Sequence, residues 1–260
     1  RSWFLRFDCR FRRIPDLHYY ADVMRKQTNI AIQEIYMCEK IVLIDGHSIL
    51  NRAFYGLPDL MNSEGLHTGA VYGFLNILFK VLGEEKPEYL AVAFDRSEPT
   101  FRHEKYSEYK GTRKPMPEEL KQQIPVLKEM LEKMGISTVS LAGYEADDIL
   151  GTLAKKAESD NLDVTILSGD RDLLQLVTGK IFVRLPRTIK GQTLIETYNE
   201  EKVKEHFSLT PSQIVDLKAL MGDAADNIPG ISGVGEKTAT RLITEYGSVE
   251  NAFAHVDEIP

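Results

Sequence analysis

The chain has 260 residues, 43% of them hydrophobic, with 32 Lys and Arg against 39 Asp and Glu and a formal net charge of −7. This composition supports one sizeable globular core, and no apolar run reaches the length of a membrane span. The two cysteines, Cys9 and Cys38, indicate neither a disulfide framework nor a thiolate metal site, so we expect a reducing, cytoplasmic compartment. The acidic net charge, taken alone, argues against a nucleic-acid partner.

From Lys40 onward, short apolar runs alternate with amphipathic segments. The predicted strands, of which the last is the weakest, lie at 41–45, 89–95, 164–170, 181–185 and 194–199. The predicted helices lie at 69–85, 117–135 and 145–159. Strands that alternate with helices predict an α/β fold in which a mostly parallel central sheet is flanked by helices.

Three of the predicted strands end in an aspartate, namely Asp45, Asp95 and Asp170. A single acid in this place is usually a turn residue or the cap of the next helix. The carboxyl ends of parallel strands, however, meet at one edge of the sheet, where ligands bind. We therefore expect the three carboxylates to belong to one site.

The stretch GYEADDILG at 143–151 adds Glu145, Asp147 and Asp148 at the start of a predicted helix. An acidic first turn favoured by the helix dipole would explain these residues without any ligand. Together with the strand ends, a cation site explains them better, because like charges this close repel one another. Helical geometry turns Glu145 and Asp148 to one side and Asp147 to another.

Two further acidic pairs follow, Asp170 with Asp172 and Asp223 with Asp226. The complete set of nine is Asp45, Asp95, Glu145, Asp147, Asp148, Asp170, Asp172, Asp223 and Asp226. Hard oxygen ligands without cysteine or clustered histidine favour Mg²⁺ or Mn²⁺ over Zn²⁺, and the spacing of a calcium-binding EF-hand is absent. Two such ions about 3.5–4 Å apart are a common device for phosphodiester hydrolysis. With these acids assigned to metal, Lys and Arg slightly outnumber the remaining acids, so net charge does not exclude a nucleic-acid partner.

The segment FRHEKYSEYKGTRKP at 101–115 is basic and carries Tyr106 and Tyr109. This composition suits phosphate binding and base stacking, although a solvated surface helix with internal ion pairs is the alternative interpretation. Gly111 and Pro115 interrupt the helical pattern, which predicts a mobile lid.

The segment at 228–247 contains closely spaced glycines that nearly form a phosphate-binding P-loop. Glu236 stands where the lysine after Gly235 should be, and no predicted strand precedes the segment, so we reject the nucleotide site. Two helices joined by a glycine turn fit better, with backbone N–H groups that bind phosphate without reading sequence. An ordinary helical hairpin is the alternative.

As a set, these motifs resemble the 5′-3′ exonuclease (flap endonuclease) domain at the N-terminus of bacterial DNA polymerase I. The resemblance runs from about Met37 to His255 through IVLIDGHSILNRAF, AFDRSEPTFRHEKYSEYKGTRKPMP, GYEADDILGTLA, LSGDRDLLQL and GDAADNIPGISGVGEKTA. It implies a fold of the PIN and flap-endonuclease type with a helical arch at about 101–120. It also implies two-metal hydrolysis of DNA or RNA–DNA phosphodiesters during primer removal and repair.

The resemblance also implies a role for individual residues. The first metal falls on Asp45, Asp95, Glu145 and Asp147, with Asp148 beside or between the two sites, and the second falls on Asp170, Asp172, Asp223 and Asp226. Catalytic roles fall on Asp45, Asp95, Lys110 as the arch lysine near the scissile phosphate, and Arg52 as the basic residue after the first motif. The DNA-binding positions are Arg102, Tyr106, Lys110, Arg113, Lys114, Gly233, Gly235 and Lys237.

Three regions are expected from the resemblance: 1–36 outside the family, 37–208 as the nuclease core and 209–260 as a helix-hairpin-helix region. The first is expected to be disordered or translated upstream sequence. Expected cofactors are two Mg²⁺ or Mn²⁺ ions, with K⁺ at the hairpin. Expected partners are DNA with a 5′ flap or nick, an RNA primer–DNA duplex and a polymerase domain in a full-length chain. We expect a nucleoid-associated bacterial monomer without membrane contact.

Two other functions are weighed against this one. A DNA-binding module without catalysis would need the basic segment and the hairpin but not nine acids. A metal-dependent ribonuclease of the PIN type would share the first acids but would have no use for the hairpin after Asp226.

Overall fold

The computed structural model describes residues 39–189 and 192–259. Its main sheet has six strands in the order β3-β2-β1-β4-β5-β6. These are β1 (Lys40–Asp45), β2 (Tyr89–Ala93), β3 (Ser137–Val139), β4 (Asp163–Leu167), β5 (Ile181–Ile189) and β6 (Gln192–Tyr198). Neighbouring strands pair in parallel except β5 and β6, which pair antiparallel. The predicted mostly parallel sheet is confirmed.

Helices connect the strands and cover both faces of the sheet. Those of the described residues are α1 (Gly46–Gly56), α2 (Gly69–Glu85), α3 (Phe101–Lys105), α4 (Glu118–Lys121), α5 (Gln123–Lys133), α6 (Ala146–Ser159), α7 (Glu200–Phe207), α8 (Ile214–Met221), α9 (Glu236–Tyr246) and α10 (Val249–Ala254). None of them is long and apolar enough to cross a bilayer.

The central strand β1 is apolar on both sides, as a strand between two helical layers must be. Because successive side chains alternate, Ile41 and Leu43 pack on the face that α6 covers, whereas Val42 and Ile44 pack on the face covered by α1, α2 and α5. Each of these four side chains is at most 1% exposed. The sheet is therefore a rigid base from which the strand ends project.

The chain reverses its direction of travel across the sheet at β1, which has β2 on one side and β4 on the other. Such a switch point opens a crevice at the carboxyl ends of the strands. Asp45 is the last residue of β1, and Asp95 and Asp170 follow the ends of β2 and β4 within three residues. The three aspartates predicted to share one edge therefore do so.

The C-terminal part packs α8, α9 and α10 around a small apolar cluster that includes Leu217, Leu220 and Ile243. A two-stranded ribbon, β7 (Gly222–Asp223) with β8 (Ile228–Pro229), follows α8. Gly222 has φ 75°, and a Cβ atom there would lie 2.3 Å from the backbone nitrogen of Gly230. Glycine is therefore required at this turn, which orients the acidic loop 223–226.

The predicted elements differ from the structure in several details. The strands predicted to end at 95 and 170 end at Ala93 and Leu167, and 228–247 contains one helix, α9, where two were predicted. The segment 117–135 forms two helices, with the break at Gln122. Pro125 explains the break, because in one continuous helix it would lie in the interior, whereas in α5 it lies in the first turn. The strand β3 was not predicted, and β5 extends to Ile189. The prediction for 1–36 lies outside the described residues.

Candidate active site

Asp45 is held by both of its carboxylate oxygens. It is the N-cap of α1, with Oδ1 accepting the backbone N–H of Ser48 at 2.9 Å. Its Oδ2 accepts the hydroxyl of Ser168 at 2.8 Å. The side chain is buried, and burial raises its pKa to about 6 despite these two bonds. Burial thus makes the ionised form of Asp45 costly, and a nearby cation would lower that cost.

Asp95 joins the β2 end to the start of α6. Its Oδ1 accepts the backbone N–H of Ala146 at 2.7 Å, and its own N–H donates to Nδ1 of His47 at 3.1 Å. Burial alone would raise the pKa of Asp95, but the His47 ring, whose Nδ1 lies 3.3 Å from Oδ2, and the bond from Ala146 outweigh it and lower the pKa. Asp95 is therefore a stable carboxylate facing the crevice.

The start of α6 sends its carboxylates in two directions, as its spacing predicted. Glu145 is the N-cap, and Asp148 accepts its backbone N–H at 3.0 Å in a capping box. Arg102 contacts both acids, with bidentate bonds to Asp148 at 2.7 and 2.8 Å and a 3.7 Å approach to Glu145. Asp147 lines the same crevice as Asp45, Asp95 and Asp170.

Asp147 has the strongest case for a cation ligand. Its Oδ1 is buried and has no hydrogen-bond partner. Burial, followed by the charges of Asp45, Asp170 and Asp95, raises its pKa to about 8. An unpartnered carboxylate oxygen surrounded by other carboxylates fits a divalent cation, which supplies both the missing contact and the missing charge.

The second acidic group gathers around Lys218 of α8. The lysine Nζ lies 2.9 Å from Asp172 and 2.7 Å from Asp223, and Asp170 accepts the N–H of Asp172 at 2.8 Å. Burial raises the pKa of Asp172, and the bond from Lys218 offsets only part of this rise. The pKa of Asp223 is lowered, because its own bond from Lys218 and the other bonds it accepts outweigh the effect of burial. Lys218 was not predicted from the sequence, because nothing in MGDAADN indicates which cationic side chain contacts its acids after folding.

Asp226 connects the second acidic group to the basic segment. The hydroxyl of Tyr109 lies 2.9 Å from Asp226 and 3.0 Å from Glu145, so this buried ring bridges the two ends of the site. Burial and then the charge of Glu145 raise the pKa of Tyr109, so it is a neutral donor. Arg113 pairs with Asp226, and Lys110 bonds Glu145 at 2.7 Å. The predicted lid therefore lies across the acids.

The lid is less helical than the predicted arch. Within 101–120, α3 ends at Lys105 and α4 begins at Glu118, and the residues between them form turns and extended chain. Lys110 has φ 57° and its backbone N–H bonds the carbonyl of Asp226 at 2.9 Å, which turns the segment down onto the site. Tyr106 and Lys114 are exposed on its outer side.

All nine acids line two adjoining cavities. One of about 600 Å³ is lined by Asp45, Asp95, Glu145, Asp147 and Asp170. The other, of about 770 Å³, is lined by Glu145, Asp147, Asp148, Asp170, Asp172, Asp223 and Asp226. Lys110 and Arg113 line both.

Within the described residues, no group of three or more His, Cys, Asp and Glu side chains converges in metal-binding geometry. The contacts above give a physical reason, since several of the carboxylates point toward cationic side chains. Arg102, Lys110, Arg113 and Lys218 hold Asp148, Glu145, Asp226 and the pair Asp172 and Asp223, respectively. The donor set itself, all oxygen, with Asp45 and Glu145 buried and the other acids partly buried, fits hard divalent ions.

Two predicted groups lie apart from the acids. Gly233, Gly235 and Lys237 are exposed at the start of α9, where Gly235 is the N-cap and Gly233 has φ 82°. Arg52 faces a separate groove between α1 and α2, next to Lys80. The prediction that Arg52 belongs with the catalytic acids is not supported by its position, because Arg52 lines this groove and not the crevice that His47, Ser48 and Asn51 line.

Comparisons with known proteins agree with this geometry. A family model described as "5'-3' exonuclease, N-terminal resolvase-like domain" matches residues 40–208, and "5'-3' exonuclease, C-terminal SAM fold" matches 209–260. The chain is 53% identical over 223 residues to DNA polymerase I of Bacillus caldotenax and 52% identical over 221 residues to that of Bacillus subtilis. These matches cover 86% and 85% of this chain but only 25% of each relative.

Solved structures show the same fold. A bacteriophage T5 flap endonuclease in a pseudo-enzyme-product complex with DNA and metal ions has TM-score 0.69 and 24% identity, covering 85% of this chain and 80% of that one. The T5 5′-exonuclease with bound zinc has TM-score 0.68 and 25% identity with the same coverage. The chain thus spans about a quarter of the length of its curated relatives. From the two family matches and the identity to these relatives, the chain belongs to the 5′-3′ exonuclease family.

Proposed function

We propose that this chain is a structure-specific 5′ nuclease that hydrolyses DNA or RNA–DNA phosphodiesters at 5′ flaps and primers. The observation that carries the proposal is the set of nine acids lining two adjoining cavities beneath a basic segment. Hydrolysis of a phosphodiester needs negative charge neutralised on both the attacking and the leaving oxygen, and paired hard-ion sites do this. A protein that only bound DNA would have no need of such a set.

The acids divide into two ligand groups. Asp45, Asp95, Glu145 and Asp147 would hold one divalent ion, and Asp170, Asp172, Asp223 and Asp226 the other. When bound, such ions activate water and stabilise the leaving oxygen. Asp148 contributes differently, because Arg102 takes both of its oxygens. We assign Asp148 to orienting Glu145 and the base of the lid.

Cations of the lid would meet the substrate. Lys110 and Arg113 line both cavities, so a phosphate placed against the acids lies within reach of these two side chains. Lys110 now bonds Glu145, and a phosphate would compete for the same Nζ group. The lysine would then stabilise charge that develops on the scissile phosphate.

Duplex binding would use the hairpin before α9. The exposed Gly235 N-cap and Lys237 present backbone and side-chain donors at a helix N-terminus, which suits a phosphate group. K⁺ at this hairpin remains a prediction. A groove at Arg52 offers a further phosphate contact outside the acidic crevice.

The choice of Mg²⁺ or Mn²⁺ rests on the oxygen-only donor set. The T5 5′-exonuclease has been solved with zinc, so similarity to that structure does not identify the ion used by this chain. Relatives are named DNA polymerase I, and we propose that the chain works beside a polymerase domain on chromosomal DNA in the bacterial cytoplasm. A monomer is predicted.

One experiment separates the proposal from its alternatives. The chain is incubated with a labelled 5′-flap duplex, the same duplex without a flap, and single-stranded RNA, each with Mg²⁺, Mn²⁺ or EDTA. We expect cleavage at the flap junction with either ion and none in EDTA. Binding without cleavage would favour a non-catalytic module, and preferential cutting of the RNA would favour a PIN-type ribonuclease. Full activity in EDTA would contradict the metal assignment.

A further inference from the structure

Ser168 occupies an unusual position between the two acidic groups. It follows the end of β4 and is 0% exposed. Its hydroxyl donates to Oδ2 of Asp45 at 2.8 Å and accepts the backbone N–H of Asp170 at 3.0 Å. One buried hydroxyl therefore contacts one acid of each proposed ion site.

Ser48 makes the complementary link from the other side. Its backbone N–H donates to Oδ1 of Asp45 at 2.9 Å, and its hydroxyl accepts the N–H of Gly169 at 2.8 Å. A Cβ atom at Gly169 would lie 2.8 Å from the Ser48 oxygen, so glycine permits this close approach. The start of α1 and the turn after β4 are thus tied together by two serines.

The Ser168 hydroxyl satisfies two polar groups at once. A serine hydroxyl has one proton, and Asp45 receives it, which leaves the oxygen lone pairs for the N–H of Asp170. Replacing Ser168 by alanine would leave a buried carboxylate oxygen and a partly buried N–H without these partners. Asp45 would keep only its bond from Ser48, and the backbone N–H of Asp170 would lose its contact with the serine that holds Asp45.

We propose that Ser168 is a positioning residue that fixes Asp45 and Asp170 relative to each other and thereby sets the affinity and spacing of the two divalent ions. This inference rests on the proposed function. Removing a residue that hydrogen-bonds to a metal ligand and orients it typically weakens metal binding by about 10–100-fold. Ser168 acts through the two aspartates and does not itself contact substrate.

The test measures Mn²⁺ binding to the protein without DNA. Electron paramagnetic resonance reports free Mn²⁺, and the spin coupling between two bound ions reports their spacing. For Ser168→Ala we expect about 10–100-fold weaker Mn²⁺ binding and a weakened or altered spin coupling. Ser168→Thr, which keeps the hydroxyl, should restore most of the affinity.

Two further variants serve as controls for the Mn²⁺ measurement. Ser159→Ala removes an exposed hydroxyl that bonds only its own helix at Lys156, so its Mn²⁺ affinity should match wild type. If Ser168→Ala fails to fold, Ser168→Cys, similar in volume but a weaker donor, takes its place with the same expected direction. Unchanged affinity and spin coupling in the folded variant would overturn the inference.

Comparing wild type with Ser168→Ala distinguishes the proposed function from the positioning role of Ser168. If wild type neither binds Mn²⁺ nor cleaves a flap duplex, the proposed function is wrong. If wild type does both, and Ser168→Ala binds the ion pair as wild type does, only the positioning role is wrong.

Discussion

At the scale of single residues, the site pairs acidic side chains with cationic ones. Lys110, Arg113 and Lys218 hold acids that would hold ions in the proposed reaction. Charged hydrogen bonds of this kind are stronger than neutral ones, so the cations hold the acids close together. Substitutions at these residues should therefore separate chemistry from binding.

Lys110→Ala should slow single-turnover cleavage of a flap duplex by about 10²–10³-fold while weakening binding much less, because its cation stabilises developing charge. Rapid-quench kinetics with enzyme in excess measures the rate, and a Ca²⁺ titration measures binding. Lys114→Ala is the matched comparison from the same segment, since Lys114 is exposed and should contribute to binding alone. Equal losses of rate and binding for Lys110→Ala would reduce it to a general phosphate contact.

Asp170→Asn should keep or tighten DNA binding, because a negative charge facing phosphates is removed, while cleavage falls by orders of magnitude. The measurement is a binding titration in Ca²⁺ followed by a Mg²⁺ chase. Abolished binding together with an unchanged residual rate would show that the Asp170 carboxylate supports structure and holds no catalytic ion.

At the scale of elements, the lid joins the nuclease core to the C-terminal helices. Tyr109 bridges Glu145 and Asp226, and the side-chain amide of Asn227 donates to the carbonyl of Glu108 at 2.8 Å. The hairpin at Gly235 takes no part in these contacts and lies at the exposed start of α9. Binding by the hairpin and chemistry beneath the lid should thus be separable.

Lys237→Ala should weaken binding to a flap duplex and reduce the slope of log affinity against log salt by about one, as one lost phosphate contact predicts. At saturating enzyme the single-turnover rate should stay near that of wild type. The affinity is measured at several salt concentrations, with Lys133→Ala on α5 as a surface control. An unchanged salt slope would argue against a phosphate contact at Lys237.

At the scale of the whole molecule, two acids with raised pKa values lie together at the carboxyl edge of the sheet. Burial raises the pKa of Asp45 to about 6, and burial with neighbouring acids raises that of Asp147 to about 8, both above the ordinary value of 3.8. Between those values the folded state binds more protons than the unfolded state, so folding stability falls as pH rises. Divalent ions would offset this loss.

In EDTA, the free energy of unfolding of wild type should therefore decrease from about pH 4 to pH 8, by an amount on the order of a few kcal/mol. Asp147→Asn removes the larger part, so its melting temperature should exceed that of wild type, and more so at pH 8 than at pH 5. Calorimetry at both pH values checks this. A variant less stable than wild type at pH 8 in EDTA would contradict the raised pKa.

The core should fold without the first 36 residues. The ladder of β1 with β4 starts at Lys40 and its ladder with β2 at Ile41, and the β1 side chains are covered by residues of the described part. A chain beginning at Met37 should keep its melting temperature and its flap cleavage. A loss of several degrees would show that the preceding segment packs on the domain.

Local patterns in the sequence were enough to identify the main elements and the acids. The helix predicted at 69–85 is α2 residue for residue, since its apolar spacing and flanking polar turns are local signals. Asp45, Asp95 and Asp170 could be assigned to one edge because parallel strands bring their carboxyl ends together. The strand β3 was missed because three residues, Ser137–Val139, carry too short a pattern.

Folding decided which cation meets which acid. Lys110 and Glu145 are 35 positions apart, Arg102 and Asp148 are 46 apart, and the serine that holds Asp45 is 123 positions away. No local pattern encodes such pairs, because they depend on how the layers pack and on how much water is excluded. Burial also raises the pKa of Asp147, and packing places Arg52 in the groove between α1 and α2. Residue types thus follow from the sequence, whereas their charge states and partners follow from tertiary packing.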